Sequence, residues 1–181
     1  MRPLASVQIG VKVSKAEDRA IPVPEFEICS KFGEQPIMSQ SLYEAIGGLP
    51  TLRKAHKIFY DKVYAHHWLG KFFEGHTQKI IEDKQSSFMA EKMGSTAPYL
   101  GKEIKMVHEA MYITKELFEI RHGLLDESIR EAGVNDILRK RWLRIDNAFM
   151  RLIIKDSVES MFINDWKFKK PIIIPNPSAK K

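Results

Sequence analysis

Residues 104–114 read IKMVHEAMYIT. Ile104, Val107, His108 and Met111 stand at i, i+3, i+4 and i+7, the spacing that lines up side chains on one face of a helix. That face is apolar apart from a single imidazole. Other stretches supply residues that could converge on it: Tyr60 in KIFYDKV, the pair Phe72 and Phe73 in WLGKFFEG, and Gln85 in IIEDKQSSFM. One nitrogen donor on an apolar stripe, with a phenol and an amide available opposite, suggests a buried group that takes one strong ligand and leaves a second face open.

Composition sets the limits within which that reading must work. The chain has 181 residues, enough for one domain with extensions. It is 44% hydrophobic and 29% charged, the balance of a water-soluble protein with a real core. No run approaches the roughly 18 to 20 apolar residues of a membrane span, and Ile172 to Ile174 near the end is framed by Pro171 and Pro175. The opening MRPLASVQIGVKV has no continuous apolar segment before a small-residue cleavage site, so no secretory signal is expected and the expected location is cytoplasmic. Cys29 is the only cysteine, which excludes an internal disulfide and a cysteine-rich metal site. The net charge is +6 and the isoelectric point near 9.3. Arg139, Lys140, Arg141, Arg144, Arg151 and Lys155 carry much of the late charge, with further lysines in the tail. Such a surface could attract nucleic acid or an anionic membrane. The solvated face of a long helix explains it as well, and neither partner is expected.

Punctuation divides the chain into three regions. Residues 1–40 are set apart. Val7, Ile9, Val11 and Val13 alternate with polar or small residues at a strand-like period of two, and Pro22, Pro24 and Pro36 interrupt any regular element in the rest of that region. Residues 41–162 carry helical signals throughout. Ser41 and Glu44 have capping-box spacing, Gly47-Gly48 ends the short helix they open, and a second starts near Pro50-Thr51. Thr77 is the expected cap of a helix ending before Gly94, with Ile81, Lys84, Gln85 and Phe88 as its inward stripe. Thr114 caps a longer helix that stops at Gly133, and Asn135 caps the last, running to about Phe162. Residues 163–181 form an extended basic tail. The domain is expected to be all-α.

A haem fits the constellation. Its iron needs one strong axial donor from the protein, commonly a neutral imidazole, and the opposite face needs room for a diatomic ligand. Dioxygen in that position draws negative charge, so a phenol or amide donor there favours it over neutral ligands. Tyr60 and Gln85 are of the right chemical type. Phe59, Phe73, Phe88, Ile113 and Phe118 could supply flat apolar packing for the porphyrin.

The order SLYEAIGG, KIFYDKV, WLGKFFEG, EDKQSSF, APYLG, IKMVHEAMYIT, LFEIRHGLLDESIREAGV resembles the truncated haemoglobins, most closely group I, over about residues 41–134. The resemblance implies a two-over-two helical sandwich around haem b. It matches His108 to the proximal iron ligand and Phe73 to the phenylalanine packed on the porphyrin. Tyr60 and Gln85 match the distal hydrogen-bonding pair, and Ile81 the gate position. By rough placement Tyr99, His76 and Lys105 are expected near the haem propionates. Some relatives use the residue at the place of Lys84 as a sixth iron ligand, which requires a deprotonated amine.

The chain also departs from the family. Gly94-Ser95 stands where a second Gly-Gly is frequent, and Arg121 stands where an apolar or aromatic residue usually faces the distal pocket. A buried guanidinium needs an anionic partner. The partners weighed are a bound anion, a haem propionate and Glu82. An Arg121 turned into the distal pocket would favour anionic ligands or peroxide chemistry.

The implied function is reversible binding or transport of dioxygen and similar small ligands such as nitric oxide. The alternative is a redox enzyme on the same haem, a nitric oxide dioxygenase or peroxidase-like protein that would need a reductase. A haem-free helical interaction domain is the third reading. A lone histidine on an apolar stripe is by itself an ordinary core residue. The ordered context makes His108 a ligand.

Overall fold

Ser41 opens the first helix with a reciprocal pair of bonds. Its hydroxyl accepts from the Glu44 amide (3.2 Å) and its own amide donates to the Glu44 carboxylate (3.1 Å), so two otherwise unpaired donors are satisfied. This helix, α1, covers Leu42–Ala45. Gly47 then turns the chain at φ +92°, in the left-handed region that favours glycine. The next helix, α2 (Gly48–Ala65), has Pro50 in its first turn, where a missing amide proton costs nothing. The computed structural model describes residues 40–161 and 170–178. The alternating stretch from Val7 to Val13 lies outside them.

The face of α2 that is buried reads Leu52, Ala55, His56, Phe59, Tyr60, Val63, a helical stripe with two polar members. A 3-10 turn, Leu69–Phe73, follows. The His66 ring caps it, with Nδ1 accepting from the amides of Trp68 and Leu69 (3.2 Å each). Gly70 is required there because a Cβ would lie 2.7 Å from the Tyr64 carbonyl oxygen. Helix α3 is Gln78–Lys92, α4 is the short Ile104–His108, and α5 is Lys115–Glu131. Thr114 and Asn135 cap α5 and α6 (Asp136–Ala148) through their side chains, as expected. Thr77 does not: its backbone carbonyl receives the amides of Ile80 and Ile81, while its side chain makes no cap bond.

Helix α2 packs against both α3 and α5, and α5 against α6. These pairs form a two-over-two helical sandwich, the fold that the motif order implies. Leu52, Phe59, Met89, Leu125, Ile129 and Trp142 form its centre, each 0–1% exposed. Truncating such a residue as Leu125 to alanine costs about 2–5 kcal/mol through lost transfer energy and the cavity left behind.

Four further expectations need correction. The inward face of α3 is Glu82, Ser86, Met89 and Ala90 with Phe88 beside it; Lys84 is exposed and Ile81 and Gln85 half-buried. The inward face is turned from the expected one because Ser86 meets a polar partner inside, the buried His56 ring. The last helix stops at Ala148, not near Phe162. The Phe149 amide donates to Asp146 O (3.1 Å), an i to i−3 bond that tightens the chain, and short helices α7 (Met150–Ile153) and α8 (Val158–Met161) form separately. In α4, Val107 is 44% exposed and Met111 lies beyond the helix end, in a parallel bridge to Ile172. Arg139 is not solvated: its side chain is 15% exposed and pairs with Asp126 and Asp136.

Candidate functional site

The single turn of α4 is long enough to do one thing. It brings the carbonyl of Ile104 within 2.8 Å of Nδ1 of His108. A carbonyl can only accept, so Nδ1 carries the proton and, in the neutral ring, Nε2 keeps a free lone pair. Burial lowers the His108 pKa, the Ile104 bond opposes this, and the charges of Arg121 and Lys155 lower it further. The ring is therefore neutral at neutral pH, oriented by a backbone acceptor. That is the arrangement in which imidazoles bind metals, with the second nitrogen fixing the tautomer and raising basicity.

Tyr60 is buried on α2. Its ring meets Phe73 edge to face at 5.8 Å, and Phe59 and Tyr64 lie at 4.8 and 6.4 Å. Phe73, from the 3-10 turn, thus fixes the Tyr60 ring. Burial pushes the phenol pKa up, opposed in part by Arg121, so the hydroxyl stays protonated and can donate. Among the described residues it has no hydrogen-bond partner. Ile81 and Gln85 are half-buried one turn apart on α3, and Ile113 is half-buried beyond α4. Phe118 is buried on α5 and stacks on His122 at 5.9 Å.

Arg121 has an internal partner, and it is neither Glu82 nor a ligand. Its Nη1 donates to both carboxylate oxygens of Asp146 (2.8 and 2.7 Å), and His122 Nδ1 donates to the same carboxylate (2.9 Å). The guanidinium lies over the Phe59 ring at 5.2 Å, an attractive cation–π geometry. Burial alone would raise the Asp146 pKa, but Arg121 and the His122 bond outweigh it and hold the carboxyl below the usual range. Glu82 is buried and accepts instead from Gln78 (2.9 Å).

A second polar group lies in the core. His56 is fully buried, with Nδ1 2.9 Å from Ser86 Oγ. Burial, and then the Arg121 charge, lowers its pKa to about 3, with Asp146 opposing. Its ring meets the buried Trp142 edge on at 5.5 Å. His56 Nε2 and Trp142 Nε1 have no partner among the described residues. Sequence reasoning missed His56, Ser86, Trp142 and Asp146. His56 and Asp146 were visible as polar residues on otherwise apolar stripes, His56 beside Ala55 and one turn before Phe59, and Asp146 one turn after Trp142.

The remaining expected residues divide. Phe88 and Tyr99 are brought together edge to face at 5.3 Å, with Phe149 on Phe88 at 5.2 Å. His76 and Lys105 are exposed; the His76 carbonyl accepts from the Tyr64 hydroxyl (3.1 Å) and its amide donates to Phe73 O (3.0 Å). Lys84 is exposed on α3. The donor set nonetheless fits a haem. It offers one oriented neutral imidazole, a protonated phenol with no acceptor among the described residues, an amide, and aromatic and branched aliphatic groups.

Comparison with known proteins agrees with this fit. Residues 41–154 match the bacterial-like globin family. The chain is 35% identical over 94 residues to a group 1 truncated haemoglobin, GlbN, of Mycolicibacterium paratuberculosis, covering 52% of this chain and 69% of that one. It is 31% identical over 98 residues to a group 1 truncated haemoglobin of Chlamydomonas moewusii, covering 52% and 56%. Among solved structures, the Fe(III) form of the truncated haemoglobin of Tetrahymena pyriformis superposes with a TM-score of 0.60 at 23% identity, covering 65% of this chain and all of that one. The haemoglobin of Chloroflexus aurantiacus gives 0.58 at 23%, covering 64% and 99%. At those identities the structures speak for the fold alone. No helix among the described residues is long and apolar enough to cross a membrane.

Proposed function

Because the chain belongs to the bacterial-like globin family, we propose that it holds haem b through Nε2 of His108 and binds dioxygen and related small ligands such as nitric oxide. The observation that carries this is the bond from His108 Nδ1 to Ile104 O, which leaves a neutral nitrogen free to coordinate. Bound haem would supply an iron able to take up a diatomic ligand. Everything else is the work of side chains. Tyr60, kept protonated by burial and held by Phe73, donates to a ligand that draws negative charge. Gln85 either orients the Tyr60 hydroxyl or adds a second donor from α3. Ile81, one turn earlier, narrows the approach. Phe59, Phe118 and Ile113 pack the porphyrin and exclude water, with Phe88 and Tyr99 at its edge.

The pairing of Arg121 with Asp146 favours gas binding over peroxide chemistry, since the cation is already neutralised where it stands. Redox turnover would call for a reductase as partner. The test is reconstitution of the purified chain with haemin. A stoichiometric Soret band that shifts with carbon monoxide and dioxygen supports the proposal. A chain that takes up no haem refutes it.

A further inference from the structure

Residues 170–178 lie beyond the family match, yet they are bonded to both flanks of the proposed pocket. The Ile172 amide donates to Ala110 O (2.7 Å) and the Tyr112 amide donates to Ile172 O (2.9 Å), the two bonds of a parallel bridge centred on Met111. Their anchor points are two and four residues after His108. Further along, the carbonyl of Ile174 accepts from the indole nitrogen of Trp68 (2.9 Å). Trp68 is 4% exposed and immediately precedes the 3-10 turn that carries Phe73. Asn176 donates to the Glu116 carboxylate on α5 (3.1 Å), and Ser178 Oγ is 3.2 Å from His67 Nε2.

The sequence of this segment suits a fixed strap. Pro171, Pro175 and Pro177 alternate with the bonded residues. Proline has no amide to satisfy and is already restricted near extended backbone, so ordering the segment sacrifices less chain entropy. The bonded positions Ile172, Ile174 and Asn176 sit between the prolines. On the other side of the same stretch, the Lys155 amide donates to Ile113 O (2.9 Å). The backbone just after His108 is thereby held from two sides, by the chain leaving α7 and by the strap. The short helix α4 has no fully buried residue of its own to hold it, His108 being half-buried.

We infer that residues 170–178 are a clasp that ties the segment behind His108 to the Trp68 turn and sets the position of the His108 ring. The strap acts through the His108 imidazole. This rests on the haem reading of His108, and the experiment separates the two.

Three holoproteins are compared with the parent: the chain ending at Lys169, Trp68→Phe, and Ile173→Ala as a control that keeps every strap bond. Haem loss is followed by transfer to an excess of apomyoglobin, the iron–histidine stretching band by resonance Raman spectroscopy, and the Tyr112 amide by hydrogen exchange. Without the strap, haem loss accelerates about tenfold, as expected for loss of a few backbone bonds; the stretching band moves and the Tyr112 amide loses protection. Trp68→Phe gives a smaller change in the same direction, and Ile173→Ala changes neither. Haem loss and stretching band both unaltered by truncation overturn the inference, whatever the amide does. So does a Tyr112 amide that exchanges equally fast with and without the strap. If the parent takes up no haem, the pocket reading fails on its own, and loss of Tyr112 protection on truncation still supports the clasp.

Discussion

Replacing Asp146 by alanine isolates the buried ion pair. The carboxylate side chain is 5% exposed and answers both Arg121 and His122. Its removal leaves the guanidinium stacked on Phe59 without its neutralising anion. Breaking a fully buried pair costs about 3–5 kcal/mol, chiefly from stranding the surviving charge. Arg121 keeps 23% of its side-chain exposure, so water recovers part of that, and about 2–3 kcal/mol is the expected loss. For a chain of this length each kcal/mol moves Tm by roughly 2–4 °C, which gives a fall of about 4–12 °C by far-UV circular dichroism. The double variant Arg121→Met with Asp146→Leu removes both charges and should recover most of the loss, because apolar replacement of a whole buried pair is often neutral or better. In the ferric haem protein the single variant should bind fluoride more tightly than the parent, since the freed cation then acts on the pocket. A single variant melting within about 2 °C of the parent, or a double variant no better than the single, would refute the reasoning.

Three further outcomes are expected from the same geometry. His56 is held neutral in the fold with its pKa lowered to about 3, against an ordinary 6.5, so the unfolded chain binds a proton that the folded chain refuses. Stability should be full above pH 6.5 and fall by up to about 1.4 kcal/mol per unit between 6.5 and about 3; a denaturant series at several pH values checks this, and His56→Leu should flatten that slope. Asp146, whose carboxyl is depressed, adds a further loss only as pH drops below the ordinary carboxylate range. Tyr60→Phe should release dioxygen about 10- to 100-fold faster in stopped flow, the worth of a hydrogen bond to a ligand bearing charge; an unchanged off-rate would remove Tyr60 from the mechanism.

The helical frame was legible because its signals are local. The Ser41–Glu44 box, the Thr114 and Asn135 caps and the glycines at 47, 94 and 133 depend on residues a few positions apart, and the structure uses each of them. The order of motifs around Tyr60, Phe73 and His108 was enough to identify the family. Pairings across long separations were not legible. Arg121 announced itself as a buried cation, but 25 positions separate it from Asp146, and nothing in either local pattern links them. The inward face of α3 was misplaced for the same reason: Ser86 is drawn inside by His56, 30 positions earlier. The strap escaped notice because a proline-punctuated lysine-rich tail carries no periodicity that says what it lies against.

The proposed function depends on one nitrogen, and removing it is the most direct trial. His108→Gly should yield a folded chain that copurifies with little haem. Added free imidazole should restore the Soret band and ligand binding by filling the space left behind. A glycine variant with the parent's pigment content and spectrum, without added imidazole, would contradict the assignment of His108 and with it the proposed function.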